Sequence, residues 1–165
     1  MSKTVEDLKA AFAGESQANR RYLAFAKKAE EEGYPQVAKL FRAAAHAETT
    51  HALNHLKALG EIKSTAENLQ AAINGENYEV VSMYPEFIED AKAEGVKRAL
   101  SSFEWAWEAE KVHEKLYRQA LEDLGKELPA VDYYVCPVCG YVHIGSAPDR
   151  CPVCNTPGKR FELIA

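Results

Sequence analysis

The stretch HAETTHALNH, residues 46–55, decides how the rest of the chain is read. It lies inside an alanine-rich run that reads as a buried helix, from VAKLFRAAA before it to LKALG after it. At about 100° per residue, Val37, Leu40, Phe41, Ala44, Glu48, His51, His55 and Leu59 fall on one side. Glu48 and His51 therefore sit inside the apolar stripe, and His46 points the opposite way. A carboxylate buried alone is destabilising by several kcal/mol, so Glu48 requires compensation from elsewhere in the chain.

Every other helical segment repeats the anomaly. The first runs over 4–33, with Thr4 as its expected N-cap and Gly33 as its stop; the second over 35–60 from Pro35; the third over 65–94; the fourth over 96–125. Pro85 lies inside the third and is expected to kink or break it near Tyr84. Glu15 sits among Leu8, Phe12, Ala18 and Tyr22; Glu76, with Glu79 one turn along, among Leu69, Ile73, Val80 and Met83; and Glu110 with His113 among Phe103, Ala106, Trp107 and Tyr117. Four long helices with short connections predict a mainly α chain built as a helical bundle.

The anomaly also has an order. Glu15 precedes the ETTH that begins at Glu48 by almost the same interval as Glu76 precedes the EKVH that begins at Glu110. Both leading glutamates come after glycine, and each has a tyrosine about two turns on, Tyr22 and Tyr84. This is a two-fold repeat of a helix pair. Two Glu-x-x-His motifs and two single glutamates are the ligand set of dimetal carboxylate bundles. Spacing i, i+3 puts both side chains of a motif on one face, and cations let several carboxylates share a core. Carboxylate with imidazole suits iron or manganese. Glu114 competes with Glu110 as a ligand, and the repeat favours Glu110. His55 is read as a packing residue, and His46 and His143 as surface or loop histidines.

All four cysteines fall within CPVCGYVHIGSAPDRCPVC, two Cys-x-x-Cys knuckles separated by eleven residues. Cys136, Cys139, Cys151 and Cys154 close a tetrahedral sulfur site for iron or zinc. Their paired spacing argues for metal rather than disulfides, in a reducing compartment. The aromatics Tyr134, Tyr141 and Phe161 around CPVCGY tilt the reading towards a one-iron electron-transfer site. From about Tyr133 the chain turns to short β-prone pieces, YYV, YVHI and RFELI, too small to form a core without such a staple. The expected division is 1–132 for the bundle and 133–165 for the cysteine module.

Composition agrees with a globular chain: 165 residues, 47% hydrophobic, 27% charged, net charge −5. No lysine/arginine cluster forms a basic face for nucleic acid. No apolar run approaches the ~18 residues of a membrane helix, and MSKTVEDLKA does not read as a signal peptide. The expectation is a cytoplasmic protein with neither nucleic-acid nor membrane partners.

In the order AGES, ETTH, GENYE, EAEKVH, CPVCGY, CPVC, the chain resembles the rubrerythrins over essentially its whole length. The resemblance implies a ferritin-like di-iron four-helix bundle followed by a rubredoxin-like domain, and an enzyme that reduces hydrogen peroxide to water. It implies Glu15, Glu48, Glu76, Glu79, Glu110 and His113 as di-iron ligands, with His51 as a redox-dependent ligand and Glu48 and Glu110 bridging an oxo/carboxylate-bridged pair. It implies an FeS₄ centre on the four cysteines that returns electrons from a reductase or a rubredoxin. Tyr22 and Tyr84 are candidate hydrogen-bond or proton partners. A homodimer or higher homo-oligomer follows from the same likeness, with the tail approaching a partner chain's bundle. Asn155 departs from the glycine common there, and asparagine tolerates the positive φ such a turn needs. Two other classes compete. Ferritin-like iron oxidation and storage uses the same ligands but gives the cysteine module no task. A pure electron carrier or zinc-stabilised protein leaves the buried carboxylates unexplained.

Overall fold

The computed structural model describes residues 2–164. Its helices are α1 (Lys3–Glu31), α2 (Pro35–Ala58), α3 (Thr65–Tyr78), α4 (Tyr84–Glu94) and α5 (Lys97–Glu122). A π-helical turn, Glu79–Met83, joins α3 to α4, so the third long helix is continuous in three pieces. The strands are β1 (Tyr133–Val135), β2 (Val142–Ile144) and β3 (Glu162–Ile164), the last preceded by a 3₁₀ turn at Gly158–Arg160. Packing divides the chain into two compact units, Met1–Lys63 and Ser64–Ala165.

The first unit is an antiparallel pair, α1 with α2. Its N-cap is Ser2, whose hydroxyl accepts from the Val5 amide; Thr4, the expected cap, already lies inside the helix. The fully buried positions are small: Ala26 and Ala29 on α1, and Ala38, Ala45 and Ala52, evenly spaced two turns apart, on α2. That alanine seam differs from the expected stripe, in which Leu40 is 68% exposed and Val37 is 44% exposed. Small side chains let the two helices approach closely, and the larger ones flank the seam. Asn19 is buried in it; its amide donates to the Ala45 carbonyl (2.6 Å) and the Thr49 hydroxyl (2.8 Å).

The second unit starts with a capping box: Ser64 accepts from the Glu67 amide while the Glu67 carboxylate accepts from the Ser64 amide. Pro85 does not end the helix; the disturbance expected near Tyr84 takes the form of the π turn that finishes at Met83. A proline clashes with the carbonyl four residues back, and the π turn relieves the clash by one wider turn. The cysteine module forms an antiparallel sheet in the order β2-β1-β3, with Tyr134 opposite His143 and Leu163. His143 is thus a half-buried strand residue rather than a loop one. Cys136, Cys151 and Phe161 make the module's small core, with Tyr134, Cys139, Tyr141, Val153 and Cys154 packed around it. No helix among the described residues is long and apolar enough to cross a membrane.

Candidate metal centres

The Glu-x-x-His spacing works locally as the repeat requires. On α2, His51 Nδ1 lies 2.9 Å from the Glu48 carboxylate and 4.0 Å from Glu15 of α1. On α5, His113 Nδ1 lies 2.6 Å from Glu110 and 4.0 Å from Glu76 of α3. Ligand atoms within each trio lie within 4.8 Å of one another. Two trios of the same composition and similar spacing therefore stand one in each unit, and they differ in setting: His51, expected inside the apolar stripe, is exposed, whereas His113 is half-buried.

In the second trio closely placed carboxylates share one imidazole. Burial, then a hydrogen bond with Glu110 and its charge, pushes Glu76 up to about 7. Burial alone would raise Glu110, but hydrogen bonds from His113 and Glu76 hold it below the usual carboxylate range. His113 is raised, chiefly by its bond to Glu110. Glu79 lies outside the trio, one turn beyond Glu76 and half-buried. Its carboxyl is raised by burial and then by the charge of Glu110. Tyr84 is raised by burial and by the charges of Glu79, Glu110 and Glu76, so it faces the same cluster.

The rings repeat as well. Tyr22 packs on Phe41 at 6.1 Å between centroids, and Phe25 on Phe41 at 5.6 Å. Tyr84 packs on Phe103 at 6.4 Å, and Phe87 on Phe103 at 5.5 Å. Glu114, the competing acid, is taken by Asn77 (3.1 Å) and by Arg118 (2.5 Å), leaving Glu110 as the ligand candidate. His55 joins neither trio, as a packing residue should.

The trios fit divalent or trivalent cations. His113 Nε2 lies 3.1 Å from the Gly140 carbonyl, which can only accept, so Nε2 donates to it; Nδ1, 2.6 Å from Glu110, donates to that carboxylate and would offer its lone pair to a cation on giving up that proton. An imidazole fixed in this way by a carbonyl is the usual state of a metal-bound histidine. Neither the carbonyl nor its contact was visible in the sequence, because a backbone atom in a distant turn carries no side-chain signal.

In the cysteine module the two knuckles are built alike. Gly140 N–H donates to Cys136 O and Asn155 N–H to Cys151 O, both at 3.0 Å, while the Cys136 and Cys151 amides donate to Tyr141 O and Thr156 O. Gly140 (φ 78°) and Asn155 (φ 61°) occupy the same left-handed position, so the asparagine keeps the turn. The cysteines are not disulfide-bonded. The sulfurs of Cys136 and Cys154, and of Cys139 and Cys151, stand 3.5 Å apart. A metal with ~2.3 Å bonds to sulfur needs tetrahedral edges of about 3.8 Å. Thr156, buried, brings its hydroxyl within 3.0 Å of Cys154 Sγ. Burial would raise the Cys154 thiol, but the Thr156 hydroxyl and amide bring it down to about 7.

Comparison with known proteins gives the same two modules. A family model described as Rubrerythrin matches residues 6–121, and one described as Rubrerythrin, rubredoxin-like domain, matches residues 134–162. Rubrerythrin-2 of Clostridium acetobutylicum is 36% identical, covering 98% of this chain and 96% of its own. Nigerythrin of Nitratidesulfovibrio vulgaris is 39% identical, covering 98% and 86%. The solved structure of nigerythrin in its fully reduced, all-ferrous state is 38% identical, covers 99% of this chain and 88% of that one, and superposes with a TM-score of 0.60.

Proposed function

The chain belongs to the rubrerythrin family, with a di-iron centre and an FeS₄ centre as its cofactors, and on that footing we propose that it is a cytoplasmic peroxidase. It reduces hydrogen peroxide to water and protects against oxidative stress. The observation that carries this reading is the double engagement of His113. Its Nδ1 faces Glu110 and Glu76, and its Nε2 donates to the carbonyl of Gly140, the residue after Cys139 in the first knuckle. A carboxylate site tied by one imidazole to a sulfur site of the same chain has a use for electrons delivered one at a time. Iron storage gives that tie no purpose.

Glu15, Glu48, His51, Glu76, Glu79, Glu110 and His113 would hold the two irons, and Cys136, Cys139, Cys151 and Cys154 the third. When bound, the iron pair supplies two electrons and Lewis acidity to the O–O bond. The chain's residues do the rest. The carboxylates balance the charge of the cations in a half-buried setting. Tyr84, kept protonated by burial and by the neighbouring carboxylates, can donate a hydrogen bond at neutral pH, and Tyr22 holds the matching place on α1. Residues 1–132 thus carry the chemistry, and 133–165 the electron supply from an outside reductase or rubredoxin. Large exposed apolar side chains on the first helix pair, Phe25 and Leu40 among them, support association with further copies as a dimer or higher oligomer.

The test is anaerobic. Fully reduced protein is mixed with peroxide in a stopped-flow cell, and the same is done with Cys136→Ser. Both should oxidise at once, and the variant should fail to turn over with an external donor. Donor-coupled turnover at the normal rate without the sulfur site refutes the reading. So does inertness to peroxide with continued oxidation and mineralisation of added ferrous iron.

A further inference from the structure

The two helix pairs are copies with one difference in length. Tyr22, Phe25, Phe41, Glu48 and His51 recur, all at one constant offset, as Tyr84, Phe87, Phe103, Glu110 and His113, whereas Glu15 recurs as Glu76 at an offset shorter by one. A single residue has therefore been added between Glu76 and Tyr84. The π turn Glu79–Met83 is where the structure accommodates it. Counted forward from the leading glutamates, Glu79 stands where the first copy has Ala18. The extra acid and the extra residue occur together.

A wider turn leaves one carbonyl without its helical donor. The Tyr84 amide donates to Glu79 O, so it is not available to Val80 O. The next residue is Pro85, which has no N–H. The Val80 carbonyl would be unpartnered in a half-buried place, which is unfavourable. Trp107 of α5 supplies the missing donor, with its indole Nε1 2.8 Å from Val80 O. The ring is braced from outside by Lys111, whose Nζ lies 3.2 Å from its centroid and 2.6 Å from the Glu108 carboxylate. In the first copy Asn19 and Ala45 hold the corresponding places, and the cross-helix bond there runs from Asn19 to the Ala45 carbonyl. That pair ties an ordinary α-helix. The tryptophan pair ties an inserted one.

We propose that Trp107 is a positioning residue for Glu79: by taking the Val80 carbonyl, its indole N–H holds open the one-residue insertion on which Glu79 stands, and so supplies an iron ligand that the first copy lacks. Glu79 is the first residue of the turn, so the direction in which its side chain leaves the helix is set by the turn. The inference rests on the reading of Glu79 as a ligand.

The experiment compares Glu79→Gln, Trp107→Phe and the double variant in the full chain. Affinity of the oxidised di-iron site for iron is measured by competition with a ferric chelator, with the sulfur-site absorbance as a check on the fold. Phenylalanine keeps an aromatic ring in place and removes the donor. Each single change should weaken iron binding by about 10- to 100-fold, the usual effect of losing a ligand's support. The double variant should be no weaker than Glu79→Gln, because the tryptophan acts through the glutamate. A packing role alone predicts losses that multiply, and that result overturns the inference. Wild-type affinity in Trp107→Phe with loss in Glu79→Gln overturns it too, leaving Glu79 a ligand. Unchanged affinity in Glu79→Gln removes the ligand reading and the inference with it. If Trp107→Phe does not fold, the benzothienyl analogue of tryptophan, which replaces the N–H by sulfur in the same ring outline, supports the same comparison.

Discussion

Replacing Thr156 by valine should lower the reduction potential of the sulfur site. The side chain is buried, and its hydroxyl lies 3.0 Å from Cys154 Sγ. Valine keeps the shape and loses the donor, so the change is electrostatic and leaves no cavity. A hydrogen bond to a charged acceptor is worth about 1.5–3 kcal/mol, and its strength grows with the charge on sulfur. The reduced centre carries one more negative charge than the oxidised one, so the bond favours the reduced form. If about half of its worth is differential, the loss is roughly 0.7–1.5 kcal/mol. For one electron, about 1.4 kcal/mol corresponds to about 59 mV, giving a fall of about 30–60 mV. Anaerobic spectroelectrochemical titration of the visible absorbance reads this directly, and Thr156→Ser, which restores the hydroxyl, should return most of it. A potential that is unchanged or higher in Thr156→Val refutes the reasoning.

Gly158→Ala should cripple the cysteine module, because a Cβ there would overlap the Pro148 carbonyl oxygen and the backbone cannot retreat far enough; the expected result is a chain that binds iron at the carboxylates and shows no sulfur-site absorbance. Glu110→Ala should remove the di-iron site and spare the sulfur site, so reconstituted protein falls from three irons per chain towards one, and three irons in the variant would exclude Glu110 as a ligand. Asn155→Gly should be tolerated, with stability within about 1 kcal/mol of the parent by chemical denaturation, since asparagine already occupies the left-handed position at φ 61° that glycine favours.

Much of this arrangement was legible because it rests on residues close in sequence. Glu-x-x-His puts both groups on one face whatever the helix packs against, and Cys-x-x-Cys closes half a tetrahedron by itself. Four long helices followed from period and stops, and Ser2 replaced Thr4 as a cap because either hydroxyl could serve and the helix began earlier. The π turn was less accessible. Pro85 signalled a disturbance, but whether a proline breaks a helix or widens it depends on who satisfies the freed carbonyl. That partner, Trp107, comes from another helix. The interval from Glu76 to Tyr84, longer by one than that from Glu15 to Tyr22, was a usable sign of the insertion. The buried seam of α1 and α2 also escaped the apolar stripe, since close packing selects alanines that a hydrophobic count underrates.

The bond from His113 to Gly140 makes the order of metal loading matter. Gly140 is part of the turn of the first knuckle, and without its ion that knuckle is closed by backbone hydrogen bonds alone, with no covalent bond from its sulfurs to the second knuckle. Filling the tail therefore sets the carbonyl that aims the imidazole, and the carboxylate site receives a ready-oriented nitrogen. A chain whose tail is empty must orient that ring unaided each time iron arrives. Chelation at one end of the sequence thus acts as a rehearsal for chelation at the other: when iron is scarce, the sulfur site should colour before the carboxylates fill, and the opposite order in a stepwise anaerobic titration would mean that the imidazole needs no such preparation.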